Sequence, residues 1–332
     1  MRFFREMATI DASGPFPTHG PGATWQNLRS RRGLCEAVPV GKGDTPGYCA
    51  MAPRPRLSAP GALIRRYDPD RFLTALFAPA ERREDLFALY AFNHEIAKTR
   101  EVVSEPLLGR IRLQWWREAL DEIYAGRLRR HEVAEPLAAA IGRHTLPRAP
   151  FDRLIDAREL DLEEGAPATL AALESYAEAT GGALVELALH ILGAAEPAAL
   201  AAGRRAGTAW ALTGLARAVP FHARARRQYL PAAVMAETGA READLFELRA
   251  TASLAAAVRQ VAEAARRQLA AARAERAAVP RRALAALLPA ALAELYLNRL
   301  DAIGYDVLAR PPEVSRLRRQ IGVLRAALGG RY

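Results

Sequence analysis

Residues 217–231 read RAVPFHARARRQYLP and carry Arg217, Arg224, Arg226 and Arg227, with His222 and neither Asp nor Glu. Clustered guanidinium groups suit an anion such as phosphate or diphosphate. A helical protein that ionises an allylic diphosphate needs more. Mg²⁺ takes oxygen ligands and keeps waters, so a few carboxylates plus the substrate phosphates complete its shell. Asp at i and i+4 on facing helices supplies them, because such side chains share a face. This stretch has the length and basic close of a diphosphate motif but none of its acids. A second segment, Ala97 to Glu101, offers one carboxylate, Glu101, with Lys98 beside it. Asp156, Asp161, Glu163 and Glu164 are further acids that could contribute to such a site. They read either as a displaced metal site or as a solvated face salt-bridged to Arg158 and Arg100. Imidazole is a poor ligand for a hard cation. A zinc site joining His222 to His94 lacks a clear third ligand, so both histidines read as helix-end or capping groups.

The elements that must position these residues are helices. From residue 58 onward Ala, Leu, Arg and Glu dominate, and strong helix formers fill long windows. In RREDLFALYAFNHEIAKTREVV, Leu86, Leu89, Tyr90, Phe92 or Asn93, and Ile96 fall along one face. In SEPLLGRIRLQWWREALDEIYAG, Ser104 is the expected N-cap, Pro106 lies in the first turn, and Gly126 marks the end. Further helices are expected at about 131–144, 150–163, 168–193, 197–219, 240–278, 281–302 and 312–328. No stretch alternates with period two, so the fold class is all-α, in one domain. Adjacent Trp115 and Trp116 point about 100° apart on a helix, one to the core and one to a surface or groove. Gly181 and Gly182 inside a helical pattern mark a kink or a close helix contact.

Residues 1–57 differ: they are rich in Gly, Pro, Ser and Thr and have no sustained period. They read as a disordered leader, either an organellar presequence or a stretch upstream of a true start at Met51. Both cysteines, Cys35 and Cys49, lie there, which argues against a disulfide framework or a cysteine zinc site. The formal net charge is +10. That fits an anionic partner, or simply the Ala- and Arg-rich usage of a GC-rich genome. Aromatic residues do not interleave with the basic stripe, so a nucleic-acid partner is not expected. The most apolar stretch, 183–201, is broken by Glu186, His190, Glu196 and Pro197, so no transmembrane helix is expected.

Residues 67–302, about 70% of the chain, resemble the squalene/phytoene synthase family. LFAPAERREDLFALYAF resembles the entry to its first Asp-rich helix. GTAWALTGLARAVPFHARARRQYLP resembles its second Asp-rich motif, and LESYAEATGGAL its glycine-bearing cavity helix. The resemblance implies an isoprenoid synthase-type helical bundle with a central apolar cavity, in which the two motif helices face each other. It also puts Ala97, Glu101, Ala218 and His222 where active members carry the motif-end carboxylates; of these only Glu101 is an acid. By the same resemblance Arg83, Arg217 and Arg227 are candidate diphosphate or anion contacts. AFNHEIAKTREVVSEPLLGRIRLQWWREALDEIY and RAVPFHARARRQYLP look like the family's non-catalytic branch, which includes a mitochondrial assembly factor for respiratory complex I.

The resemblance therefore implies a catalytically inactive protein acting in complex I assembly, with no metal cofactor. Its partners would be complex I subunits or assembly intermediates. It would sit peripherally at the inner membrane, on the cytoplasmic side in a bacterium or the matrix side in a mitochondrion. The basic lip Arg217, Arg224, Arg226 and Arg227 and the tryptophans would make the membrane contact. Two alternatives stand beside it: an active prenyl-diphosphate synthase using Mg²⁺ on relocated acids, and a lipid- or isoprenoid-binding protein.

Overall fold

Helix-forming composition and well-placed breakers divide the chain into segments of predictable type. The structure is a computed structural model and describes residues 57–332; apart from Leu57, the expected leader with Cys35 and Cys49 lies outside the described residues. The N-terminal half of the described chain runs α1 (Ala59–Tyr67), α2 (Pro69–Ala75), α3 (Ala80–Ala97), α4 (Thr99–Val102), α5 (Pro106–Tyr124), α6 (Ala134–His144) and α7 (Ala149–Glu159). A 3₁₀ turn, Leu160–Leu162, leads to α8 (Leu170–Ala177), a π turn (Glu178–Gly182) and α9 (Ala183–Ile191). There follow α10 (Pro197–Arg217), α11 (Val219–Arg224), α12 (Ala232–Thr238), α13 (Glu242–Phe246), α14 (Ala252–Ala274), α15 (Leu284–Ala302) and α16 (Arg316–Gly329). No strand occurs among the described residues.

The departures from expectation have local causes. The helix expected through residue 103 turns at Lys98. There the Thr99 hydroxyl donates to Glu95 O, the carbonyl that a continuing helix would use (3.4 Å). Glu105 rather than Ser104 is the N-cap of α5; it makes no side-chain cap bond, and Pro106 at the next position has no N–H to satisfy. Gly126 does end that helix, with φ +74°. The single helix expected over 240–278 divides. Leu248 adopts φ +55° and the Thr251 hydroxyl accepts the Leu254 N–H at 3.2 Å, starting α14 afresh.

α3 is a core helix. Its residues from Asp85 to Asn93 are all buried, so it is enclosed on every side rather than along one apolar face. α10 packs chiefly on α14, on the π turn and on α15. α15, with the turn before it, is long and apolar enough to cross a membrane, but most of it is buried inside the bundle. It is a core helix.

The π turn contains Gly181 and Gly182, and its contact with α10 resolves their role. A Cβ built on Gly181 would lie 2.2 Å from Gly207 O, and one on Gly207 would lie 2.2 Å from Gly181 O. Two backbones touch here, which only glycine permits. Gly207→Ala is expected to destabilise the fold by about 2 kcal/mol or more, since overpacking against backbone has no cheap relaxation. Urea denaturation followed by circular dichroism measures it; an unchanged midpoint would refute the close contact.

Candidate functional site

The two motif segments both begin where a long helix stops. α10 ends at Arg217 because Pro220 can neither donate nor continue the helix, and α11 starts after Ala218. α4 starts after Lys98, where α3 stops without a proline. One side chain from each segment, Glu101 and His222, lies within electrostatic reach of one buried carboxylate, Asp161, on the 3₁₀ turn after α7.

Asp161 is 5% exposed. It accepts hydrogen bonds from the Tyr229 hydroxyl at 2.6 Å and the Tyr176 hydroxyl at 2.8 Å, and it pairs with Arg158 at 3.2 Å. Arg158 also donates to the Tyr176 oxygen at 2.7 Å. Burial opposes the Arg158 charge, but Tyr176 and Asp161 beside it outweigh burial and raise its pKa. Burial, with Asp161 alongside, likewise raises both phenols. The His222 ring lies 4.5 Å from the Tyr229 ring. Burial lowers its pKa to about 4, with Arg227 adding repulsion and Asp161 opposing, so the imidazole is neutral at neutral pH. Glu101 reaches solvent, yet partial desolvation raises its pKa; Arg158 pulls it down and Asp161 pushes it up. Glu101 and His222, one from each segment, thus feel the same acid.

The first segment repeats the pattern. Glu95, 4% exposed, is paired with Lys98 and, at 2.5 Å, with Arg112. His94 stacks on Tyr67 at 4.8 Å, and burial followed by Lys98 lowers its pKa to about 4. Each buried acid of the region is therefore neutralised by a cation of the chain itself.

Such a donor set does not fit Mg²⁺. Ala97 and Ala218 offer no oxygen, His222 offers nitrogen, and Glu101 stands alone of the four motif-end residues. No group of three His, Cys, Asp or Glu side chains able to hold a metal occurs among the described residues. The relocated acids are not gathered either: Asp156 pairs with Arg117 at 2.6 Å, Asp161 with Arg158, and Glu163 and Glu164 are exposed.

The three arginines named as candidate anion contacts have different surroundings. Arg83 donates from Nε to Ala78 O at 2.9 Å, near the start of α3. Fourteen residues at 1.5 Å each place it about 21 Å along the helix from Ala97. Arg217 is only 8% exposed and sits 3.3 Å from the centre of the Tyr296 ring. It belongs to a second cluster, in which the Tyr296 hydroxyl donates to Asp70 at 2.8 Å and Arg319 pairs with Asp70. Arg227 alone lies with His222, half-buried, its guanidinium 5.8 Å from the Tyr229 ring. The exposed lip therefore reduces to Arg224 and Arg226, the latter over Phe246 at 5.5 Å. Trp116 is core, packed edge-on to Phe92 at 5.2 Å, while half-buried Trp115 lines a hollow of about 370 Å³ with Ile111 and Glu159. Sequence reasoning paired Asp161 with Arg158 but missed Tyr176 and Tyr229, although both lie inside the quoted motifs. It missed Asp70, Tyr296 and Arg319 altogether.

The family model for Squalene/phytoene synthase matches residues 64–318. Over 294 residues the chain is 31% identical to NADH dehydrogenase (ubiquinone) complex I, assembly factor 6, of Bos taurus, covering 86% of this chain and 85% of that protein. To phytoene synthase of Arthrospira platensis it is 26% identical over 239 residues, 66% of this chain and 71% of that one. A dehydrosqualene synthase crystal structure, in complex with ligand, superposes with a TM-score of 0.72 at 20% identity, over 82% of this chain and 94% of that one. That last likeness speaks for the fold.

Two outcomes follow from the network. Asp161→Ala leaves Arg158 buried without its carboxylate and should cost about 3 kcal/mol in chemical denaturation, with Asp161→Asn costing less. A loss below about 1 kcal/mol would show the pair to be solvent-compensated. The histidines set a pH dependence. An unfolded imidazole takes up its proton near pH 6.5, whereas folded His94 and His222 resist until about 4. The unfolded state therefore binds more protons in that window, and stability falls as pH drops from 6.5 towards 4. Unfolding curves at pH 7 and pH 5 should differ less in His222→Gln than in the parent.

Proposed function

Because the chain belongs to the squalene/phytoene synthase family, we propose that it is a non-catalytic member of it that acts in the assembly of respiratory complex I. The observation that carries this reading is the internal neutralisation of the site. Lys98 and Arg112 compensate Glu95, and Arg158 with two tyrosines compensates Asp161. Diphosphate departure needs concentrated positive charge on the leaving group, supplied by metal ions held between acids. Here the buried acids Glu95 and Asp161 are already paired with side-chain cations, and two of the four motif-end positions are alanines.

The comparisons support the assembly role. The bovine relative named as an assembly factor matches across most of both chains, and at higher identity than the phytoene synthase. The partners in this reading are complex I subunits or assembly intermediates. The protein works peripherally at the membrane that houses the complex: the inner membrane, from the cytoplasmic or the matrix side according to the cell type. The Asp161 network is then a structural plug that holds α4, α7, α8 and α11 in one arrangement, and it needs neither metal nor substrate to do so.

Deletion of the gene should lower assembled complex I and membrane NADH oxidation while squalene, carotenoid and hopanoid levels stay unchanged. Normal complex I with depleted isoprenoids would overturn the reading in favour of a prenyl synthase. In parallel, the purified protein incubated with farnesyl or geranylgeranyl diphosphate and Mg²⁺ should release no diphosphate above a heat-killed control. Extraction of the purified protein for mass spectrometry tests the remaining alternative, a resident lipid or isoprenoid.

A further inference from the structure

The final helix, α16, is built with its small side chains inward and its large ones outward. Val323, Ala326 and Ala327 pack on the Leu288, Leu292 and Tyr296 side of α15. A Cβ on Gly322 would fall 2.5 Å from Leu295 Cδ1, so the approach is close. The opposite face carries Leu317, Ile321, Leu324 and Leu328, exposed by 65%, 40%, 47% and 72%. At i, i+4, i+7 and i+11 these four form one stripe along the helix. Arg318 and Arg325 edge it on one side, Arg316 and Gln320 on the other, and all four are exposed. Residues 314–332 contain five arginines and no acid. Arg319 turns inward to Asp70, and the Tyr332 hydroxyl donates to Ala272 O at 3.1 Å. The stripe is thus presented on a helix tied down near both ends, not on a frayed tail.

We propose that α16 lies in the plane of an anionic phospholipid bilayer, with its leucine stripe at the acyl boundary and its arginines among the headgroups. Three features select a bilayer over a protein partner. The stripe is purely aliphatic, whereas the cores of protein interfaces are enriched in aromatic residues and Met. Arginines flank it and reach outward on long stems, as in helices that lie in a membrane interface. Its charge is of one sign, matching a surface of anionic lipid. Fourteen residues make a helix about 21 Å long, too short to span a hydrocarbon core of about 30 Å, so it lies flat. The inference rests on the membrane-face part of the proposed function and deepens it. It moves the contact to α16 from the basic lip, which has lost Arg217 to the interior.

The test is flotation of the full-length protein with phosphatidylcholine vesicles, with and without phosphatidylglycerol. The parent should float with the anionic vesicles and less so as salt rises. Leu317→Ser with Leu324→Ser should lower partitioning on the order of tenfold or more, and Arg318→Glu with Arg325→Glu about tenfold. Arg224→Glu with Arg226→Glu should bind like the parent. All substituted positions are exposed, and circular dichroism melting checks that each variant folds. Loss of binding in the lip variant with normal binding in both α16 variants would overturn the assignment to α16 while leaving the membrane reading intact. A parent that floats with neither vesicle overturns both. A dimer seen by light scattering that dissociates in the leucine variant would assign the stripe to a second copy of the chain and overturn the inference.

Discussion

A carboxylate buried in a protein interior must find a positive partner, because desolvation of an uncompensated charge costs several kcal/mol. The Asp161 site meets that demand with Arg158 and two phenol hydroxyls, and much else in this chain follows from the choice. A bundle that holds a metal leaves its acids waiting for an external cation. In this bundle the cation is covalently part of the chain and permanently charged. The buried acids Asp161 and Glu95 are both paired within the chain.

The same logic recurs at three places in the fold. Glu95 is compensated by Lys98 and Arg112, and Asp70 by Arg319 with the Tyr296 hydroxyl. Buried Asp85 pairs with Arg143 and His144. Arg112 with Glu95, Arg319 with Asp70, and Arg143 with Asp85 each join two different helices and so fix helix positions as well as charges. The Asp70 cluster ties the beginning of the described chain to its final helix. That tie lets α16 pack on small side chains and hold its bulky ones away from the core.

Backbone contact sets the other limit. Where Gly181 meets Gly207, the π turn and α10 approach as closely as two main chains can. α8, which carries Tyr176, joins directly to that turn, and the end of α10 leads into Ala218 and α11. The separation of the two glycines therefore helps determine where Tyr176, His222 and Tyr229 stand relative to Asp161.

The all-helical fold and the family's motif segments were legible in the sequence. Helix formers, prolines and caps act within a few residues, and Ala97 and Ala218 lack an oxygen donor in any fold. Local pattern also put one of Trp115 and Trp116 in the core without deciding which; the structure buries Trp116. Local pattern failed where partners are far apart along the chain. Nothing local joins Asp161 to Tyr229, 68 residues on, or Asp70 to Tyr296 and Arg319, 226 and 249 residues on. Arg83, Arg217 and Arg227 are candidate anion contacts by resemblance; local pattern did not show that Arg83 bonds Ala78 O or that Arg217 is buried over Tyr296. For α16, the periodicity defines two apolar faces, one of small residues and one of large. Hydrophobicity alone would bury the leucines. The close approach of α15 decided otherwise, since only Gly322, Val323 and the alanines fit the space it leaves.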